Sequence, residues 1–116
     1  KQIWLTEYGW ATQNNSPGYE YGNVVSMEDQ AKFIGDAAQM VYDQYRDETG
    51  RSWIGVMFLW NMNFAVLWEL EGNALHEQAA FGILNPDWSP RPAFIALQGI
   101  HQRIKREQGK IVDSAP

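Results

Sequence analysis

The stretch from Ser26 to Tyr45 constrains this chain more than any other. Met27, Ala31, Ile34, Ala38, Val41 and Tyr45 recur at alternating steps of four and three, which is one face of an α-helix. Lys32, Asp36, Gln39, Asp43 and Arg46 fall on the other side. Ser26, with Asp29 three residues on, resembles a capping box with an acid in place of the usual Glu or Gln, and Glu28 and Asp29 suit the positive end of the helix. Gly50 stands where a left-handed C-terminal residue belongs, so the sequence predicts a helix over 27–49. An apolar run flanks the helix on each side: one within a strand read over residues 2–6, the other Trp53-Ile54-Gly55-Val56-Met57-Phe58-Leu59-Trp60. Both are nearly unbroken rather than alternating, the pattern of parallel strands covered on both faces. Strand, long helix and strand make a right-handed βαβ unit, which requires parallel strands.

The rest of the chain extends that unit. Residues 8–25 form a long turn-rich loop around Asn14-Asn15-Ser16-Pro17-Gly18, with Tyr19 and Tyr21 beyond, and residues 61–79 form another. Ordered loops of this length are more often functional than not. Phe81-Gly82-Ile83-Leu84 reads as a short extended piece, and Asn85-Pro86-Asp87 as a turn. Ser89 and Pro90 fit the N-cap and first position of a last helix. Its buried stripe is Ala93, Leu97, Ile100 and Ile104, and it ends near Glu107, before Gly109. Arg103, Lys105 and Arg106 suit its negative end, and residues 110–116 read as a frayed tail. The fold class is therefore α/β, a βαβα chain over 1–109 with long loops after each strand. Two parallel strands leave apolar faces and both edges uncovered, so the chain is expected to join a larger sheet or to self-associate. The opening at Lys1 inside a predicted strand, without an initiator Met or a signal peptide, likewise reads as a piece of a longer protein.

Composition removes several functions. Nine basic against fourteen acidic residues give a formal charge of −5, which argues against nonspecific binding to nucleic acid or an anionic membrane surface. No apolar run approaches the roughly 20 residues of a membrane-spanning helix. The absence of cysteine removes disulfides, thiolate metal sites and cysteine nucleophiles together. The two histidines, His76 and His101, stand far apart, and no Gly-rich phosphate loop is present, so neither a metal nor a cofactor is expected. Six Trp and five Tyr suit a ligand with flat apolar faces and hydroxyl rims.

The residue types that carry chemistry gather at the strand ends. Glu7 would sit at the C-terminal mouth of the first strand, where α/β sheets keep their ligands; equally, it could close the strand and face water. Trp60, ending the second strand, is a stacking platform or a core aromatic. Tyr8 and Trp10 line a cleft or pack on a neighbouring loop, and Asn61 and Asn63 bond a ligand or shape a turn. Trp68, Glu69 and Glu71 lie in the following loop, where solvated carboxylates are the commoner case. Trp88 is expected to pack against the last helix, and His101 to be partly exposed.

Three segments in series carry a resemblance. Thr6-Glu7-Tyr8-Gly9-Trp10, Trp60 at the end of the second strand, and Phe81-Gly82-Ile83-Leu84-Asn85-Pro86-Asp87-Trp88-Ser89-Pro90-Arg91-Pro92-Ala93-Phe94 resemble the C-terminal quarter of a (β/α)8-barrel glycoside hydrolase of clan A, the group that includes families five and thirty-nine. The likeness covers nearly the whole chain and keeps the expected order. It implies the last two β/α units of a TIM barrel, with Glu7 as the catalytic nucleophile of a retaining glycosidase acting on β-linked polysaccharide. Trp60, Trp10, Tyr8 and Asn61 would contact a carbohydrate substrate, and the Trp60-Asn61 peptide bond would be cis. The acid/base partner of the clan, a Glu after an Asn on the fourth strand, has no counterpart in this chain. By that reasoning the isolated chain is inactive and pairs with the rest of a barrel or with itself. Two rival readings are a carbohydrate-binding or scaffold protein with a degenerate barrel, and a self-associating α/β module without a sugar role.

Overall fold

The computed structural model describes residues 1–113, with side chains through Gly109. Strands β1 (Ile3–Tyr8) and β2 (Ile54–Leu59) pair in parallel as a two-stranded sheet. Helix α1 (Met27–Asp43) connects them, and the short helices α2 (Ala65–Leu70) and α3 (Glu77–Ala80) precede the long α4 (Pro92–Asp113). The long elements thus follow the order βαβα in a mixed α/β arrangement. No helix among the described residues is long and apolar enough to cross a membrane.

Helix α1 starts as its sequence requires. The Ser26 hydroxyl oxygen accepts from the Asp29 N–H at 3.0 Å, and the Asp29 carboxylate accepts from the Ser26 N–H at 3.3 Å, completing the capping box. The helix lays its apolar face against α4 and the sheet. Ile34, Ile83 and Ala93 form the buried centre, with Tyr8, Trp10, Ala31, Leu59, Phe94 and Leu97 packed around it. On the outer side, Arg103 of α4 grips Asp43 through Nη2 at 2.8 Å and Glu107 through Nε at 3.0 Å.

Several boundaries differ from those expected, each for a local reason. Helix α1 ends at Asp43 rather than at 49, because side-chain bonds favour a turn over another helical one. Asp47 Oδ1 accepts from the Thr49 N–H, the Thr49 hydroxyl and the Arg51 N–H, and the Arg46 guanidinium donates to the Tyr42 carbonyl. Gly50 takes its positive φ of 82° within that turn, not at a helix end. Helix α4 begins at Pro92 rather than Pro90, since Pro90 is bridged to Leu84 and Ser89 closes the preceding turn on Asp87 and Asn85. Leu84 makes only that isolated bridge, so Phe81–Leu84 forms no strand. The helix runs on through residues 110–113, which were expected to fray, while 114–116 lie outside the described residues. The loop after β2 holds α2 and α3, and the loop after β1 contains a 3-10 turn over Glu20–Val24. Trp88, expected to pack against the last helix, is 63% exposed at a positive φ of 68°.

The sheet keeps exposed apolar side chains. Ile3 is 57% and Trp4 61% exposed, and the Trp4 ring lies 6.4 Å from that of Phe58, also exposed. The unbroken apolar pattern of the strands therefore leaves hydrophobic side chains open to solvent, which in an ordinary parallel sheet would be covered.

Candidate functional site

The C-terminal ends of the two strands are held tightly together. Tyr8 pairs with Leu59, and the Trp60 N–H donates to the Tyr8 carbonyl at 2.8 Å. From Leu5 to Tyr8 the register advances three residues in β1 against two in β2, from Met57 to Leu59. An opposite irregularity between Ile3 and Trp4, one residue in β1 against two in β2, offsets it, so the two strands end in step at Tyr8 and Leu59. Gly9 follows where no side chain fits, since a Cβ there would lie 2.3 Å from the Trp60 carbonyl oxygen. Glu7 and Trp60 thereby occupy one edge of the sheet.

Glu7 is exposed, and its carboxylate makes no hydrogen bond or ion pair among the described residues. Trp60 is half-buried, with its ring edge-on to Phe64 at 5.0 Å. The Trp60-Asn61 peptide bond is cis, as anticipated. Asn61 itself is buried and fully engaged. Its Nδ2 donates to the Gln78 carbonyl at 2.6 Å and its Oδ1 accepts from the Phe64 N–H at 3.0 Å, which ties the end of β2 to α2 and α3. Asn63 likewise donates to the Asn85 carbonyl at 3.1 Å. Both asparagines shape the chain's turns, so Asn61 has no free amide donor pair to offer a ligand.

Tyr8 and Trp10 also sit differently from the expectation of a cleft lining. Both pack against the core between sheet and helices, and the Trp10 ring lies 5.7 Å from that of Phe33 on α1. Burial pushes the Tyr8 phenol above its ordinary value. Glu69 and Glu71 are exposed, as solvated loop carboxylates, and His101 is exposed on α4. Trp68 and His76 stack face to face at 3.5 Å and 3°; Trp68 Nε1 donates to Gln78 Oε1, and His76 Nδ1 accepts from the Gln78 N–H. These two rings brace α2 against α3.

Two residues that the sequence left unremarked hold the site's surroundings. Gln30 of α1 is 0% exposed, and its Nε2 donates to the carbonyls of Trp10 at 2.9 Å, Ala80 at 3.2 Å and Gly82 at 3.3 Å. Arg91 is buried with its Nη1 on the Ala79 and Gly82 carbonyls and its Nε on Asn85 Oδ1; desolvation pushes its pKa down. The signal for Gln30 was present: it stands on the same helical face as Met27 and Ile34, a polar residue within an apolar stripe. Arg91 carried no such mark.

The geometry defines a class: a parallel α/β unit with one solvated carboxylate and one indole at the C-terminal edge of its sheet. Such a carboxylate can serve as a nucleophile or a base; a second carboxylic acid would be needed for two-carboxylate hydrolysis. Compared with models of protein families, with characterised proteins and with solved structures, the chain matches none.

Proposed function

We propose that this chain is the C-terminal βαβα portion of a (β/α)8-barrel retaining glycosidase acting on β-linked carbohydrate, with Glu7 as nucleophile and Trp60 as the floor of the adjacent sugar subsite. The observation that carries the reading is the placement of Glu7 and Trp60 on one sheet edge, the end at which parallel α/β sheets bind ligands. A carboxylate exposed at such an edge can attack an anomeric carbon, and an indole offers the flat apolar surface against which a sugar's C–H face packs. In a retaining mechanism the nucleophile works with an acid about 5–5.5 Å away, which protonates the departing oxygen and later activates water. That acid would come from a strand outside this chain. The exposure of Ile3, Trp4 and Phe58 supports the same reading, because the rest of a closed barrel would cover them.

The test is made in the complete enzyme. Glu7→Ala should abolish hydrolysis while leaving the fold intact, and added azide should restore turnover with inverted product stereochemistry. Hydrolysis retained by that variant overturns the assignment.

A further inference from the structure

Gln78 fastens the turn that follows Trp60. Its carbonyl accepts from Asn61 Nδ2 at 2.6 Å, its Oε1 accepts from Trp68 Nε1 at 2.9 Å, and its N–H donates to His76 Nδ1 at 3.1 Å. Asn61 comes directly after Trp60 and passes the tie on, since its Oδ1 accepts from the Phe64 N–H at 3.0 Å. Of the groups that hold Gln78, an amide and an indole keep their protons near neutral pH. The imidazole of His76 is the one that can gain a charge there.

The ring's bond fixes where its protons can go. Nδ1 spends its lone pair on the Gln78 N–H, so the proton of the neutral ring lies on Nε2. A second proton, taken from solvent by this half-buried ring, can go only to Nδ1, and it turns that atom from acceptor into donor. Two donors then face each other and the bond to Gln78 is lost. Another partner stands close by: Glu77 Oε1 lies 3.9 Å from the same Nδ1. Trp68, stacked on the ring at 3.5 Å, offers its π-face to the charged imidazole as well as to the neutral one. No other charge meets the ring among the described residues. Helix α2, packed against α3, carries Glu69 and is closed by Glu71, both exposed and without an ion pair, and the loop after β1 reaches this segment through the uncharged Asn15 and Ser16.

We propose that His76 is a proton-operated positioning residue for the Trp60 edge. The neutral ring clamps Gln78 and, through it, Asn61 and the turn after Trp60. The protonated ring exchanges the Gln78 N–H for the Glu77 carboxylate and releases that clamp. The clamp is therefore present while the imidazole is neutral and is lost as pH falls and the ring takes its second proton. Its effect on a sugar held at Trp60 rests on the glycosidase reading; the exchange of hydrogen-bond partners does not.

The experiment follows backbone amide exchange in the complete protein at about pH 7.5 and about pH 5.5, on either side of the ordinary histidine range, with the intrinsic pH dependence of exchange divided out. The Gln78 and Phe64 amides report the two ends of the clamp. Both should exchange about three- to tenfold faster at the lower pH, the worth of one hydrogen bond. Neither should change in His76→Asn, whose side-chain oxygen can accept the same N–H and takes no proton. Glu77→Gln keeps the ring and removes its alternative partner, so the acceleration should move to lower pH. On aryl β-glycosides, KM should rise at the lower pH in the parent and stay level in His76→Asn, with kcat following one pH profile in both. Amides that keep their rates in the parent, or that accelerate equally in His76→Asn, overturn the clamp. A level KM in a parent whose amides do accelerate overturns the positioning role at Trp60. Accelerated amides in a well-folded parent that cleaves no β-glycoside support the clamp and overturn the glycosidase reading instead.

Discussion

Replacing Gln30 by leucine gives a direct measure of how the loops around Glu7 are held. Three carbonyls converge on its Nε2, from Trp10, Ala80 and Gly82, which is what assigns the nitrogen to that side of the amide. Two of them have other donors: Ala80 accepts from the Thr12 N–H and hydroxyl, and Gly82 from Arg91 Nη1. The Trp10 carbonyl, part-buried, has no other donor among the described residues, so Gln30→Leu orphans that acceptor, removes Gln30's own unpartnered Oε1 and nearly conserves volume. The lost bonds outweigh the removed oxygen, and the expected cost is about 0.5–1.5 kcal/mol, the net worth of a typical hydrogen bond. Gln30→Glu is more severe at neutral pH, because an ionised carboxylate would face three carbonyl oxygens. The buried acid would therefore have a folded pKa raised above its unfolded value. Its destabilisation is absent below the unfolded value of about 4.3, grows as pH rises towards the folded pKa, and is complete above it. Urea unfolding followed by Trp fluorescence at neutral and mildly acid pH reads both effects. A Gln30→Leu midpoint within about 0.5 kcal/mol of the parent, the range of an ordinary surface change, would refute the bridging role. So would a Gln30→Glu variant equally unstable at both pH values.

Two further outcomes follow from the same geometry. Gly9→Ala sets a Cβ at 2.3 Å from the Trp60 carbonyl oxygen, a backbone atom that cannot rotate away, so the strand ends must part; a stability loss of about 1–3 kcal/mol is expected, and an unchanged melting temperature would show that the contact yields freely. The Ser89 hydroxyl, donating at 2.5 Å, and the Ser89 N–H hold the Asp87 carboxyl below its ordinary range. A depressed acid stabilises its turn fully above the unfolded value of about 3.9 and loses that contribution as pH falls through the lower folded pKa. The Ser89 amide resonance should therefore titrate below the ordinary aspartate range and stop doing so in Asp87→Asn; a midpoint at the ordinary value contradicts the bond.

The long elements were legible because their signals are local and repeated. The stripe from Met27 to Val41 and the Ser26–Asp29 box place the start of α1 within the chain itself, and β1 and β2 appear as apolar runs on either side. The boundaries missed were those settled by competition. Asp47 captures its own downstream N–H groups and stops α1 early, and Ser89 is drawn to Asp87 instead of capping α4. In the site, Glu7 and Trp60 could be placed because a strand's end is visible in sequence. Tyr8 and Trp10 could not, since their packing against Ile34, Ile83 and Ala93 joins segments far apart in the chain.

The amino-acid sequence by itself therefore determined the βαβα order, the parallel relation of the strands and the carboxylate at the first strand's end. These depend on period, capping chemistry and chain connectivity, all of which act over neighbouring residues. Only the tertiary structure decided which aromatic rings belong to the core and which stand free at the sheet edge. It also recruited Gln30 and Arg91 to hold carbonyls some fifty and about ten residues away in the chain. A buried carbonyl takes whatever donor the packed fold brings to it, and that partnership leaves no periodic trace along the sequence.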